Sequence, residues 1–391
     1  MTAPALDVLH ALRAHTVAVG MDPPAALIGD WLDADAVIAP SISLRAGAGP
    51  PDHPERWWFG YLGFPVRADD ADLPTVAGGL TDAILVLRSG NWEYRSVDGS
   101  PWPEWVRRAV EGAPTPSPAD WSATWHEPDP APHLVAIDEC LDAIRDGEVY
   151  QACVCTAFTG QVDGDHVAFY ADLVATTAPA KSALLQGEWG TVASFSPETF
   201  LRRTGNLVSS HPIKGTVAAH ESPDKLSRST KDVAENVMIV DLVRNDLGRV
   251  AMTGSVRVPD LLSVTPAPGV WHLVSSVSAV LDPATGTGEL LRATFPPASV
   301  TGTPKLRAMQ LLADWEASPR GVYCGAIGLA GPEHALDLNV AIRTVTITPD
   351  GRARLGVGGG ITIDSDPWSE WQECLDKAAS IVRTDTSHGR T

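Results

Sequence analysis

Cysteine is scarce in this chain of 391 residues. The five present, Cys140, Cys153, Cys155, Cys324 and Cys374, are odd in number and include no C-x-x-C pair. That excludes a disulfide framework and points to free thiols in a reducing compartment. Positive charge is also short. Against 48 Asp and Glu stand 29 Lys and Arg, a formal net charge of −19. Long-range repulsion then opposes nucleic acid or an anionic membrane surface as partner, though not a small anionic substrate, which feels the local field of a pocket. No apolar run approaches the ~20 residues of a membrane helix, and no basic-plus-apolar leader is visible, so a cytoplasmic protein is expected. No short-period repeat or low-complexity tract appears.

What is present is the composition of a folded protein. Hydrophobic residues make up 44% of the chain, and its length suggests more than one ordinary domain. The clearest break is GAPTPSPADWSATWHEPDPAPH, dense in Pro, Ser and Asp, which reads as an extended connector. The expected organisation is an N-terminal portion over 1–111, a Pro-rich connector over 112–132, a catalytic portion over 133–385 and a tail over 386–391. Leu134, Ile137, Leu141 and Ile144 are spaced as on an amphipathic helix, which Gly147 ends before a strand VYQACVCTAF. Cys153 and Cys155 share one face of that strand and read as core packing. TVASF, TFLRR and NLVSS read as strands, and SPDKLSRSTKDVAENVMIVDLVRNDLG as one long helix with Val233, Val237, Val240 and Val243 on one side and Gly248 past its end. LDLNVAIRTVTIT and ARLGVGGGITI read as strands, and WSEWQECLDKAASIVR as a helix following Pro367.

Several residues could carry chemistry, and each has a plain alternative. Lys214, in SSHPIKGT, could be a solvated turn lysine. Asp232 with Glu235, and Glu370 with Glu373, are i, i+3 pairs that each occupy one helical face, joined by Lys377 four residues beyond Glu373. They could be solvated charge pairs or a cation site. His272 in a strand is by itself a hydrogen-bonded packing residue, and Gly358, Gly359 and Gly360 by themselves a bend.

The order of motifs favours the functional alternatives. SPETFLRR, SSHPIKGT, AENVMIVDLVRNDLGRV, FPPASVTGTPKLRAM and GGGITIDSDPWSEWQECLDKA follow one another. This set resembles the chorismate-utilising enzymes: anthranilate, aminodeoxychorismate, isochorismate and salicylate synthases. The resemblance implies an α+β fold of two large, orthogonally packed antiparallel β-sheets with helices outside. It also implies that Glu235 and Glu373 hold Mg²⁺ against the ring carboxylate of chorismate, with Asp232 and Glu370 behind them. Gln372 and Cys374 depart from the family's E-E-T at that point. Tyr323 and Arg343 match positions that take the enolpyruvyl carboxylate, and a planar guanidinium suits that task. The glycine triplet and Lys377 match the ring-carboxylate side, His272 and Thr216 a substrate contact, and Thr301 and Gly302 the substrate-facing T-G loop, with Thr303 for the usual alanine.

Lysine at 214 resembles the aminodeoxychorismate branch, where it adds to carbon 2 of chorismate; anthranilate synthases usually carry alanine. Asn236, in place of a histidine, agrees. A nucleophilic lysine must be neutral at attack, so its site is expected to contain burial or positive neighbours. Glu198 matches the general acid for the carbon-4 hydroxyl and needs a pKa raised toward neutrality. The lysine that activates water in isochorismate and salicylate synthases is replaced by Gln151, which cannot deprotonate water. No cysteine lies in a glutaminase-type G-x-C-x-G elbow, so a separate glutamine amidotransferase subunit is implied as the ammonia source. Anthranilate synthesis remains an alternative, disfavoured by the lack of an L-L-E-S-type segment. Isochorismate synthesis and a non-catalytic chorismate-binding subunit are further alternatives.

Overall fold

The computed structural model describes residues 3–68, 71–112 and 120–382. Residues 113–119 of the expected connector and the whole tail 386–391 lie outside the described residues. Two antiparallel sheets carry the fold, of eleven and ten strands among the described residues. Alternation of side chains sorts each strand between two cores. Leu27, Val37 and Val86 stand in register on neighbouring strands and fill the core between the sheets, beside Phe59, Ile327 and Leu329. Their neighbours Ala26, Ile38 and Leu85 point to the opposite face and pack under the helices Ala5–Val19 and Glu104–Glu111. The helix Thr230–Gly248 covers the outer face of the second sheet through Ile239, Val240 and Val243. The layers are therefore helix, sheet, sheet, helix.

The first 111 residues do not form a body apart. Strands Ala25–Trp31, Ala34–Ala39, Ala83–Arg88 and Asn91–Ser96 complete one sheet, and Trp57–Leu62 and Val76–Thr81 extend the other. Within the expected connector, Trp121–His126 forms an edge strand on Gln151–Gly164; this stretch lacks proline, so its N–H groups are free to pair. The long helix expected over 222–248 is two helices, Asp224–Arg228 and Thr230–Gly248, divided at Ser229. The Ser229 hydroxyl accepts from the Asp232 N–H and caps the second, and Gly248 lies within it rather than beyond. The expected valine stripe also splits, for Val240 and Val243 are buried while Val237 is 44% exposed.

Two crossings between the sheets matter most. Gly190–Ser196 belongs to the first sheet and Thr199–Thr204 to the second, so the chain changes sheets at Pro197 and Glu198. Ala335–Val340 and Thr344–Ile347 do the same in reverse across 341–343, where the sequence suggested continuous strand. Arg343 takes a left-handed φ of 49° to make that turn. The crossings are bonded to each other: Val340 N–H donates to Glu198 O at 3.0 Å, Phe195 N–H to Arg343 O at 2.9 Å, and the Ser196 hydroxyl to Val340 O at 2.6 Å.

A buried ion network ties the sheets together nearby. Lys181 Nζ lies 2.6 Å from Asp337 Oδ1 and 3.9 Å over the Trp31 ring, while Arg202 Nε and the Leu32 N–H donate to Asp337 Oδ2 at 3.0 and 2.8 Å. Lys181 and Asp337 are both almost fully buried. Removing one partner strands the other charge, at about 3–5 kcal/mol. Asp337→Leu should therefore lower stability by that order in urea unfolding, and Lys181→Met combined with Asp337→Leu should recover part of the loss. A double variant as unstable as the sum of the single ones would show that the pair does not couple.

Candidate active site

The crossings open into a cavity of about 540 Å³. Its walls are the strands Ile213–Ala218, Val270–Val280 and Arg352–Ile361 and the helices Thr230–Gly248 and Pro367–Val382. Lys214 enters from the first of these strands. The register between it and Val270–Val280 shifts between Lys214 and Thr216, a bulge accommodated by Gly215 at φ 76°. A Cβ on Gly215 would come 3.0 Å from Asp232 Cγ, so the bulge also seats the strand tightly on the helix. Positive neighbours were expected around such a lysine, and Lys231 and Lys377 do line the cavity, but its ion-pair contact is a carboxylate, Glu235 Oε2 at 3.8 Å.

Glu198 stands on the crossing itself and is 4% exposed. Burial is the main cause that pushes its carboxyl up to about 7, opposed by Ser299, the Lys214 charge and the Ile213 backbone. A carboxyl group of that kind holds its proton near neutrality, as a general acid must.

The acidic pairs converge as the resemblance implied. Asp232, Glu235, Glu370 and Glu373 all line the cavity. Glu235 Oε1 is a buried acceptor with no hydrogen-bond partner, and burial raises the pKa of this carboxyl. Glu370 is buried and accepts from Lys231 Nζ at 2.7 Å and from the Ser365 hydroxyl at 2.6 Å. Glu373 pairs with Lys377 at 2.8 Å. Among the described residues no group of three or more His, Cys, Asp or Glu side chains is gathered closely enough to hold a metal ion by itself. An orphaned carboxylate oxygen facing further carboxylates is instead an open, hard-donor site, which suits Mg²⁺ completed by water and substrate oxygen.

Anion receptors stand on the other side. Arg343 is held below the usual arginine value by burial alone. Its guanidinium faces the cavity with Tyr323, whose ring packs so closely that a Cβ on Gly356 would lie 2.2 Å from it. Gly358, Gly359 and Gly360 run opposite Cys155, Val154 and Cys153 in the longest strand pairing. Their lack of side chains is a matter of space: a Cβ on Gly360 would sit 3.2 Å from Lys214 Nζ, and one on Gly359 3.0 Å from Glu370 Oε2. Lys377 Nζ donates to Gly358 O at 2.8 Å. His272 Nδ1 and the Thr216 hydroxyl are 2.9 Å apart, and burial, with Arg343 nearby, lowers the histidine to about 4. It is thus neutral at physiological pH, a hydrogen-bonding group.

Three expected residues stand apart from the cavity surface. Thr301 is 1% exposed and its hydroxyl donates back to Pro297 O and Ala298 O at 3.3 and 3.1 Å, while Gly302 pairs with Ala152. These two shape the loop; Ser299 and Val300 supply its cavity wall. Gln151 is buried, and its Oε1, which lacks a hydrogen-bond partner, lies on the same side of Gly360 as Lys214 Nζ and Glu235 Oε2. The reading of Cys153 and Cys155 as packed neighbours holds, with their sulfurs 3.8 Å apart, but Cys153 also reaches the cavity. Sequence reasoning missed Lys231 and Gly356. Lys231 lies four residues before Glu235, a readable helical pairing, and Gly356 lies on the Gly358–Gly360 face at period two. Behind the wall, Arg320 and Glu316 brace it: Arg320 Nη1 donates to Val300 O at 2.7 Å and Glu316 Oε1 accepts from the Cys155 N–H at 2.9 Å.

Known proteins share this architecture. The anthranilate synthase component I of Streptococcus pneumoniae superposes with a TM-score of 0.70 at 24% identity, over 93% of this chain and 91% of that one. The menaquinone-specific isochorismate synthase of Escherichia coli does so with 0.74 at 19%, over 97% and 91%. In sequence, the aminodeoxychorismate synthase component 1 of Salmonella typhimurium is 40% identical over 246 residues, 61% of this chain and 54% of that protein. That of Klebsiella aerogenes is 37% identical over 344 residues, 83% of this chain and 75% of that protein. The match thus spans about half the length of the Salmonella relative and more of the Klebsiella one. The family model for chorismate binding enzymes matches residues 46–383, which include every cavity residue described above, and the chain belongs to that family.

Proposed function

We propose that the protein converts chorismate and ammonia to 4-amino-4-deoxychorismate, the reaction of an aminodeoxychorismate synthase component I. The observation that carries this reading is a pair in one cavity: a lysine, Lys214, with a carboxyl group, Glu198, that keeps its proton near neutrality. The Salmonella and Klebsiella relatives bear the name of that enzyme. Lys214 Nζ forms a bond to carbon 2 of chorismate as the ring double bonds shift, and the carbon-4 hydroxyl departs with the Glu198 proton as water. Ammonia then bonds to carbon 4 as the lysine leaves carbon 2 as the neutral amine, and the proton shed by the new amine returns to Glu198. The net change is chorismate plus ammonia giving product plus water. Arg343 and Tyr323 take the enolpyruvyl carboxylate. The glycine strand and Lys377 border the ring carboxylate, and His272 with Thr216 hydrogen-bonds the ring substituents. Gln151 leaves the cavity without a base for water, which favours amination over hydration.

Mg²⁺ is the proposed cofactor, held by Glu235 and Glu373 with Asp232 and Glu370 behind; it would neutralise the ring carboxylate. A glutamine amidotransferase subunit is the proposed source of ammonia. The five cysteines are buried among strands and helices, and none is placed to attack glutamine. No described helix is long and apolar enough to cross a membrane.

The reading is tested with purified chain, chorismate, Mg²⁺ and ammonium salt, the product identified by mass and ultraviolet spectrum. 4-Amino-4-deoxychorismate is expected with ammonium, and almost none with glutamine alone. Anthranilate or isochorismate as the product would replace the assignment. The total rate should rise with pH because the free amine increases. Expressed per free ammonia, it should stop rising above about pH 7, because Glu198, whose pKa is raised by burial, then loses the proton it must donate. A normalised rate that keeps rising through pH 8 would remove Glu198 from the acid role.

Lys214→Ala should lower turnover by at least about a thousandfold with the fold intact, and any residual flux should shift toward amination at carbon 2. Unchanged product and rate would rule out the covalent route. Glu235→Gln and Glu373→Gln should each raise the Mg²⁺ concentration needed for half-maximal activity and weaken chorismate binding, by about tenfold or more. Full wild-type activity in excess chelator would mean the two glutamates are not metal ligands.

A further inference from the structure

We propose that a crevice at the far end of the glycine strand is a second binding site, for a small monocarboxylate, and that its occupation weakens chorismate binding. Only the second half of this rests on the function proposed above. Residues Arg352, Arg354, Gly356, Gly358 and Gly360 share one face of the strand Arg352–Ile361. The three glycines line the catalytic cavity, whereas the two arginines line a separate space. That space has two adjoining parts, of about 300 and 100 Å³, which share Asp72, Thr346 and Arg354.

Strand register assembles a polar floor. Thr159 stands opposite His126 on one side and Arg354 on the other, and Thr346 stands opposite Arg354 from the next strand. Gln161 is likewise opposite Arg352. Arg352 is already engaged, with Nε 3.0 Å from Asp350 Oδ2 and Nη1 3.2 Å from Asp72 Oδ1. Arg354 is different. It is partly buried, and among the described residues no carboxylate pairs with it; its Nη2 donates to the neutral acceptors Ser318 Oγ and Pro319 O at 2.7 and 2.9 Å. One uncompensated guanidinium calls for one negative charge, and its planar fork suits a carboxylate. A phosphate dianion would bring excess charge beside Asp72. Ala71, Leu73, Pro319 and Val322 line the smaller part and offer an apolar wall for the ligand's carbon body.

The segment 318–323 joins this crevice to the active site. Arg354 holds its start through Ser318 and Pro319. Arg320 holds its middle, donating to the Val300 and Cys153 carbonyls of the cavity wall. Tyr323, at its end, faces the catalytic cavity with its ring against Gly356. A carboxylate on Arg354 competes for the guanidinium with Ser318 and Pro319. That loosens the segment and draws Tyr323 from its place beside Arg343, where the enolpyruvyl carboxylate is taken. By linkage, chorismate weakens the carboxylate by the same factor.

Benzoate is the probe, titrated by calorimetry into the whole chain without chorismate. Thr159→Glu sets a carboxylate opposite Arg354 without removing its bonds to Ser318 and Pro319. With the thermal midpoint unchanged, it should weaken benzoate at least about tenfold, and Arg354→Gln should do the same. Arg343→Gln, which alters only the catalytic cavity, should bind benzoate as the wild type does. The reverse pattern would overturn the site, because benzoate would then occupy the catalytic cavity. Wild-type protein that binds no benzoate would overturn it as well. Inorganic phosphate binding more tightly than benzoate would overturn the choice of a monocarboxylate. Saturating benzoate should raise the chorismate dissociation constant about fivefold in the wild type and leave it unchanged in Thr159→Glu. An effect absent from the wild type, or equal in both proteins, would overturn the coupling. Wild-type protein that binds no chorismate would instead fail the proposed function, while the benzoate titrations would still decide the site.

Discussion

The site depends on two strands that change sheets at the same place. Glu198 and Arg343 occupy these crossings, and backbone hydrogen bonds from Val340 to Glu198 and from Phe195 to Arg343 fix one crossing against the other. At the crossings the pleat is interrupted, and two polar side chains can point along the seam between the layers. The Lys181–Asp337–Arg202 network spans the same seam and holds the sheets in one relation.

The electrostatics of the cavity follow from what the seam gathers. Carboxylates from Asp232, Glu235, Glu370, Glu373 and Asp376 outnumber the cations of Lys214, Lys231, Lys377 and Arg343. Lys231 and Lys377 hydrogen-bond Glu370 and Glu373, whereas Glu235 keeps an oxygen without a hydrogen bond, 4.0 Å from Lys231 Nζ. A divalent cation would correct that imbalance and would favour entry of a dianionic substrate into an acidic protein. The same burial raises the Glu235 and Glu198 carboxyl groups and lowers His272, so one cavity shifts three titratable groups toward their neutral forms.

Much of this was legible from residue order. The i, i+3 carboxylates did converge, the glycine triplet did lie where side chains would collide with Lys214 and Glu370, and the strands around TVASF and TFLRR formed. What the sequence concealed is non-local. LDLNVAIRTVTIT has continuous β-propensity, and nothing local announces that Arg343 breaks it at positive φ to enter another sheet. The T-G of the TGTPK loop looks substrate-facing by resemblance, yet its hydroxyl is consumed by the loop's own carbonyls. Valine spacing predicted a single apolar stripe on the long helix, but that helix meets two different surfaces, a core and an open groove. The N-terminal strands gave no sign of which sheet each would join, since alternation alone does not select a partner.

The central claim is a covalent bond between Lys214 and chorismate, and it can be observed directly. Protein incubated with chorismate and Mg²⁺ without ammonia, quenched and digested, should yield the peptide containing Lys214 heavier by chorismate less one water. Adding ammonium before the quench should discharge that species and release the aminated product. Product formation with no adduct on Lys214 at any quench time, or an adduct on another residue that ammonium discharges, would contradict the account.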